Sequence, residues 1–99
     1  MPRNPPRPQP GQARHLLDEL HHDLINGHVD IATAVRRMRQ ISGLTQPEFA
    51  RHRGISLQTL RQIETAKGNP TVETLDRIAS IFGFRTGFVP RDPGHPPKS

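Results

Sequence analysis

No cysteine occurs in the 99 residues, which rules out disulfides and thiolate metal sites and removes any pointer to an oxidising compartment. No apolar run approaches the roughly 20 residues that a helix needs to span a bilayer. The N-terminus carries prolines where a signal peptide would carry its apolar stretch. These absences point to a soluble, cytoplasmic protein without a membrane partner. No glycine-rich phosphate loop and no serine, histidine and carboxylate arrangement stands out, and so small a chain encloses little volume for catalysis. Neither an enzyme nor a cofactor is expected. His15, His21, His22 and His28 are spaced six, one and six residues apart. A helical two-histidine zinc site wants a spacing of about four, so these read as surface groups and no metal is expected.

Apolar side chains are also sparse at both ends. Residues 1–11 hold five of the eleven prolines and residues 90–99 hold four more. Neither stretch can offset the entropy of ordering it, so both are expected to be disordered Pro-rich tails. About 78 residues remain, a core small enough to make oligomerisation plausible.

What is present is organised by charge and by helical spacing. The net charge is +5, yet residues 12–30 sum to −3 and residues 31–70 to +5. Concentrated positive charge is the footprint of a polyanion partner, since bound phosphates release condensed counterions. In residues 12–27, Leu16, Leu17, Leu20, Leu24 and Ile25 form one face of an amphipathic helix, with Asp18, Glu19 and Asp23 largely on the other. The Leu16, Leu20 and Leu24 stripe reads as packing within the fold or a dimer, with docking to another protein as the alternative. Asp30 can cap a second helix, whose apolar positions are Ile31, Ala34, Val35, Met38 and Ile41, and Gly43 stops it. Thr45-Gln46-Pro47-Glu48 fits a capping box at the start of a short third helix ending at Gly54. Ser56 caps a fourth, from Leu57 to about Ala66, and Thr71 a fifth, with Leu75, Ile78, Ala79 and Phe82 inward. In residues 84–89, Phe84, Thr86 and Phe88 fall on one side of an extended chain, which reads as a short strand. A lone strand cannot satisfy its own backbone, and the simplest partner is the same strand of a second copy across a twofold axis.

The third and fourth helices, joined by Arg53-Gly54-Ile55, are the informative unit. Ala50 allows their close approach, Gly54 suits a positive φ, and Phe49, Ile55, Leu60 and Ile63 face inward. Ser56, Gln58, Thr59, Arg61 and Gln62 are then left outside. Arginine can bond O6 and N7 of guanine, and glutamine N6 and N7 of adenine. Arg36, Arg37, Arg51 and Lys67 are expected to add affinity through phosphates.

The stretch LTQPEFARHRGISLQTLRQIETAKGNPTVETLDRIASIFG, Leu44 to Gly83, resembles the lambda-repressor/Cro-like (XRE) helix-turn-helix family. The resemblance implies an all-α, five-helix DNA-binding domain over residues 28–83, to which the terminal strand adds a dimer contact. It implies that Leu57, Gln58, Arg61 and Gln62 face base edges, while Ser56, Thr59, Lys67 and Asn69 lie nearer phosphates. It also places Gln46 on a phosphate, bracing a base-reading side chain, and makes Arg39 and Glu64 a buried ion pair. Arg53 stands where an apolar residue is usual and is expected to snorkel toward phosphates. Leu57 stands where a polar reader is common, and would pack on a thymine methyl. The implied function is a homodimeric transcriptional regulator, a repressor at a palindromic operator in double-stranded DNA. The alternative is an antitoxin that neutralises a toxin protein and regulates its own operon, because the terminal strand resembles that of small antitoxin repressors.

Overall fold

A computed structural model describes residues 8–91 of the protein. The described residues form five α-helices: α1 Pro10–Ile25, α2 Ile31–Ser42, α3 Gln46–Arg53, α4 Leu57–Glu64 and α5 Val72–Ala79, followed by a 3-10 turn at Ser80–Phe82. Each boundary has a local cause. Asp30, Thr45, Ser56 and Thr71 each accept a hydrogen bond from the backbone N–H three residues on, which satisfies a donor the helix itself leaves unpaired. At Thr45 the bond is reciprocal, because the Glu48 carboxylate accepts from the Thr45 N–H at 3.0 Å. Gly43 and Gly54 end α2 and α3 with φ of 69° at each.

Two boundaries differ from the sequence reading. α1 opens at Pro10, two residues early, because proline fits the first helical turn, where no N–H is needed. Pro10 and Gly11 thus belong to a helix and not to the tail; most of the two expected tails lies outside the described residues. α4 ends at Glu64, two residues short. The Thr65 hydroxyl donates back to the Arg61 carbonyl at 2.8 Å, and Ala66 turns into the left-handed region at φ 59°.

The expected strand over residues 84–89 is corrected. The described residues contain no strand. Within one chain nothing offers this segment a ladder, so its amides find other acceptors. Phe84 N–H donates to the Ala79 carbonyl at 3.2 Å, and Thr86 N–H to Asp76 Oδ1 at 2.7 Å. Phe84 packs on the core and against His21 of α1, with ring centroids 6.0 Å apart.

The four largest fully buried side chains come from four helices: Leu20 of α1, Phe49 of α3, Leu60 of α4 and Ile78 of α5. Ala34, Val35 and Met38 of α2 join the same cluster, with Leu24 partly buried against it. α1 is therefore part of one core, and the Leu20 and Leu24 stripe packs within the fold. Arg37 of α2 pairs with Asp23 of α1 at 2.8 Å, which pins the two helices at their rim.

One polar feature lies inside. Glu64 is 3% exposed, and Arg39 grips it with two bonds, Nε to Oε2 at 2.8 Å and Nη2 to Oε1 at 2.9 Å. Gln46 Nε2 adds a third donor to Oε1 at 3.0 Å. Arg36 donates to the Glu64 main-chain carbonyl, and Arg39 Nη1 to the Leu44 carbonyl at 3.4 Å.

Two predictions follow from these bonds. Glu64→Ala strands the Arg39 charge and is expected to lower the unfolding free energy by about 3–5 kcal/mol. Arg39→Met combined with Glu64→Leu is expected to cost less than Glu64→Ala alone in urea melts, and a loss equal to the sum of the single changes would refute the coupling. Asp30 is held below its ordinary value of 3.8, chiefly by the Thr33 N–H that it accepts and then by the Thr33 hydroxyl. Because the folded value lies below the unfolded one, this cap stabilises fully above the unfolded range and loses its effect as pH falls through the folded value. Asp30→Asn, which keeps an accepting oxygen, is expected to flatten the stability curve below about pH 4; an unchanged acid limb in melts against pH would remove Asp30 from the account.

Candidate nucleic-acid interface

The α3–turn–α4 unit is built by small residues at the crossing and donors at the turn. Ala50 is buried where α3 meets the core, and its carbonyl accepts from the Ile55 N–H at 3.0 Å, which closes the turn. Gly54 lies at φ 69°, and a Cβ there would stand 3.7 Å from Arg77 Cδ, so the obstacle to a side chain is backbone strain and not crowding. Arg77 of α5 braces the same turn by donating to the Gly54 carbonyl at 3.1 Å, while Glu73 holds its other nitrogen at 3.0 Å. Glu73 and Arg77 are legible as an i,i+4 pair. The reach of Arg77 to a carbonyl 23 residues away is not, and sequence reasoning missed it.

Inward, Leu60 and Ile63 anchor α4 in the core. Outward, Gln58, Arg61 and Gln62 are exposed together, while Leu57 and Thr59 are half-buried. Among the described residues the Arg61 guanidinium has no hydrogen-bond or ion-pair partner, and neither do the charged ends of Arg51, Arg53 and Lys67. Arg53 is half-buried, as a snorkelling stem requires. Lys67 and Asn69 are exposed on the loop after α4. The Ser56 hydroxyl donates to Thr59 Oγ1 at 2.7 Å and accepts from the Thr59 N–H at 3.0 Å, so this pair fixes the first turn of α4. Gln62 lies over Gly68, where an added Cβ would come within 3.0 Å of its Oε1. That glycine leaves room for the side chain to rest against the loop.

The electrostatics of this edge depend on where its acids go. Between Ser56 and Asn69 the sole acidic residue is Glu64, and its carboxylate is buried on Arg39. Glu48 is engaged in the cap of α3. The outward edge of α4 and its following loop therefore present cations and amides without a compensating exposed carboxylate. Such a surface suits a partner that offers negative charge and hydrogen-bonding edges together.

Not every expected phosphate arginine stands free. Arg37 is held by Asp23, and Arg36 by the Glu64 carbonyl and by Thr33 Oγ1 at 3.0 Å. Both thus join helices, and Arg36 does so while remaining exposed. Gln46 is tied to Glu64 and is half-buried beside the end of α4. Of the candidate dimer residues, Phe84 and Thr86 turn onto their own fold, whereas Phe88 is fully exposed and Val89 is 62% exposed. A shallow hollow on the outer face of α1 is lined by His15, Asp18, Glu19, His22 and Asp23. His15 pairs there with Glu19 at 2.8 Å. Among the described residues no group of three His, Cys, Asp or Glu side chains is placed to hold a metal, and no helix is long and apolar enough to cross a membrane.

Comparison with known proteins bears on the same region. An uncharacterized HTH-type transcriptional regulator of Sinorhizobium fredii (y4dJ) is 43% identical over 47 residues, a span covering 48% of this chain and 61% of that protein. The match thus takes in about three-fifths of the relative's length. No solved structure matches significantly. The helix-turn-helix family model matches residues 35–89, more than half of the chain, from within α2 through α3, the Gly54 turn, α4 and α5 to the segment beyond. The protein belongs to the helix-turn-helix family, of the XRE type that its sequence resembles.

Proposed function

We propose that this protein is a DNA-binding transcriptional regulator that inserts the exposed edge of α4 into the major groove of duplex DNA. The observation that carries this reading is Arg61, unpaired and exposed between Gln58 and Gln62 on a helix whose one carboxylate is turned inward. An arginine and two glutamines are the side chains that bond guanine and adenine edges in pairs, with Leu57 beside them for a thymine methyl. Arg53, Lys67 and Asn69, with Ser56, Thr59 and Gln46 at the two helix starts, flank that edge and suit phosphate oxygens. The Sinorhizobium relative, named as a transcriptional regulator, agrees with this reading.

An eight-residue recognition helix spans only a few base pairs, so specificity calls for two half-sites and a twofold dimer. Phe88 and Val89, with Ile81 64% exposed nearby in sequence, supply apolar surface for that contact. A dimer seated on a palindromic operator blocks polymerase, so we take repression as the mode of action.

Selection of bound sites from random duplexes tests the reading as a whole, since it reports the motif, its symmetry and the half-site spacing. Arg61→Ala is expected to relax preference at one base position per half-site by about 1–3 kcal/mol. A uniform loss across all sequences would refute its base contact. Arg51, Arg53, Arg61 and Lys67 are the unpaired cations of this unit, so replacing all four by glutamine is expected to reduce the slope of log affinity against log salt by up to about 4 per protomer; an unchanged slope would remove them from the phosphate contacts. Phe88→Asp leaves the protomer's own packing untouched and is expected to give monomers by sedimentation; an unchanged dimer would exclude the terminal segment from the contact.

A further inference from the structure

Gln46 and Glu64 join the first residue of α3 to the last residue of α4. A glutamine amide is ambivalent, since one end donates and the other accepts, whereas a phosphate oxygen only accepts. Left to itself the amide has no orientation set in advance, and must lose that freedom when its nitrogen meets a phosphate. The Glu64 carboxylate also only accepts, and it is 3% exposed, so no water shell softens the choice. The nitrogen therefore faces Glu64, at 3.0 Å from Oε1, and a flipped amide would set two oxygens against each other. That bond uses one of the two hydrogens on Nε2, and the other remains available at a half-exposed side chain.

We propose that Glu64 is the positioning residue for a phosphate contact by Gln46, holding its amide so that the free N–H meets the DNA backbone while the other stays on the carboxylate. The proposal rests on the reading that Gln46 lies on a phosphate. Arg39 completes the device in two ways. Its two bonds fix the carboxylate, and a third reaches the Leu44 carbonyl just before the Thr45 cap, so both ends of the Gln46 link are tied to one guanidinium. Its charge also offsets that of Glu64, which would otherwise repel a phosphate so close by. The end of the base-reading helix is thereby coupled to the outermost backbone grip.

The deciding measurement is the NMR signal of the Gln46 side-chain amide in the full-length wild-type chain, free and with a duplex of about 20 base pairs recovered by selection, enough for two half-sites. The expected result is that one Nε2 proton keeps its Glu64-bonded position in the complex while the other shifts on binding. Loss of the Glu64-bonded signal in the complex would overturn the proposal. An amide unmoved by DNA would instead sink the phosphate reading on which it rests. Affinities give a second test, taken at a temperature where each variant is folded. Gln46→Met and Glu64→Gln are each expected to weaken binding about tenfold, and the double change no more than about twofold beyond Gln46→Met. Equal losses from Glu64→Gln in both backgrounds would reduce Glu64 to a merely structural role. The NMR result stands whether or not Glu64→Gln folds.

Discussion

A carboxylate buried at the end of α4 is the constraint on which the rest of this structure depends. Glu64 takes three side-chain donors on its two oxygens, two from Arg39 and one from Gln46, and its main-chain carbonyl takes a fourth from Arg36. Taking such a charge out of water is costly, and its attraction for Arg39 offsets that cost only because the geometry is bidentate and the remaining lone pairs are occupied. An apolar plug of the same volume could serve stability as well. What it could not supply is direction. The apolar contacts of Phe49, Leu60 and Ile63 fix how near α3 and α4 lie to the core, but dispersion contacts tolerate sliding and rotation. Hydrogen bonds from α2 and from the first residue of α3 to one carboxylate leave α4 little freedom to rotate or slide. The proposed role of α4, meeting base edges to within about 0.5 Å, calls for that kind of restraint.

The same logic explains why α1 is part of the domain. A four-helix core from α2 to α5 would be small, with three of its helices only eight residues long. α1 adds Leu20, wholly buried, and its Asp23 takes up Arg37. The acidity of α1 thus has partly an internal use. It neutralises a cation on α2 and pins α1 to that helix. Phe84 extends the effect, since its ring lies against His21 and ties the segment after α5 back to α1.

How much of this was legible in the sequence varies with the range of the interaction. The caps at Asp30, Thr45, Ser56 and Thr71 were readable, because each bond closes within three residues and depends on residue type alone. The inward set of Phe49, Leu60 and Ile63 followed from helical spacing, and the Arg39–Glu64 pair from family resemblance. Partners far along the chain were not readable. Arg36 and Arg37 look like any other arginines of a basic stretch, and only the packing of α2 on α1 and α4 shows that both are occupied. The period-two pattern of Phe84, Thr86 and Phe88 was real, yet it implied a ladder that one chain cannot form. Here it places Phe84 and Thr86 toward the fold and leaves Phe88 out.

Charge sorting is what turns this scaffold into a reader. Residues 31–70 carry seven cations and two carboxylates, and by composition alone they would be a diffuse basic surface. The fold divides them. Arg36, Arg37 and Arg39 bond to groups of neighbouring helices, and both carboxylates are taken up, Glu48 in a cap and Glu64 in the core. Arg51, Arg53, Arg61 and Lys67 are left unpaired, all of them in α3, α4 or the loop that follows. A uniformly basic protein would bind any duplex in many orientations, because phosphate contacts carry no sequence information. On the proposed reading, placing the unpaired cations of residues 31–70 in the unit that also carries Gln58 and Gln62 makes the orientation that satisfies phosphates the one that brings these groups to the groove. On that reading, specificity in so small a domain depends as much on which arginines are engaged by other helices as on which stay free.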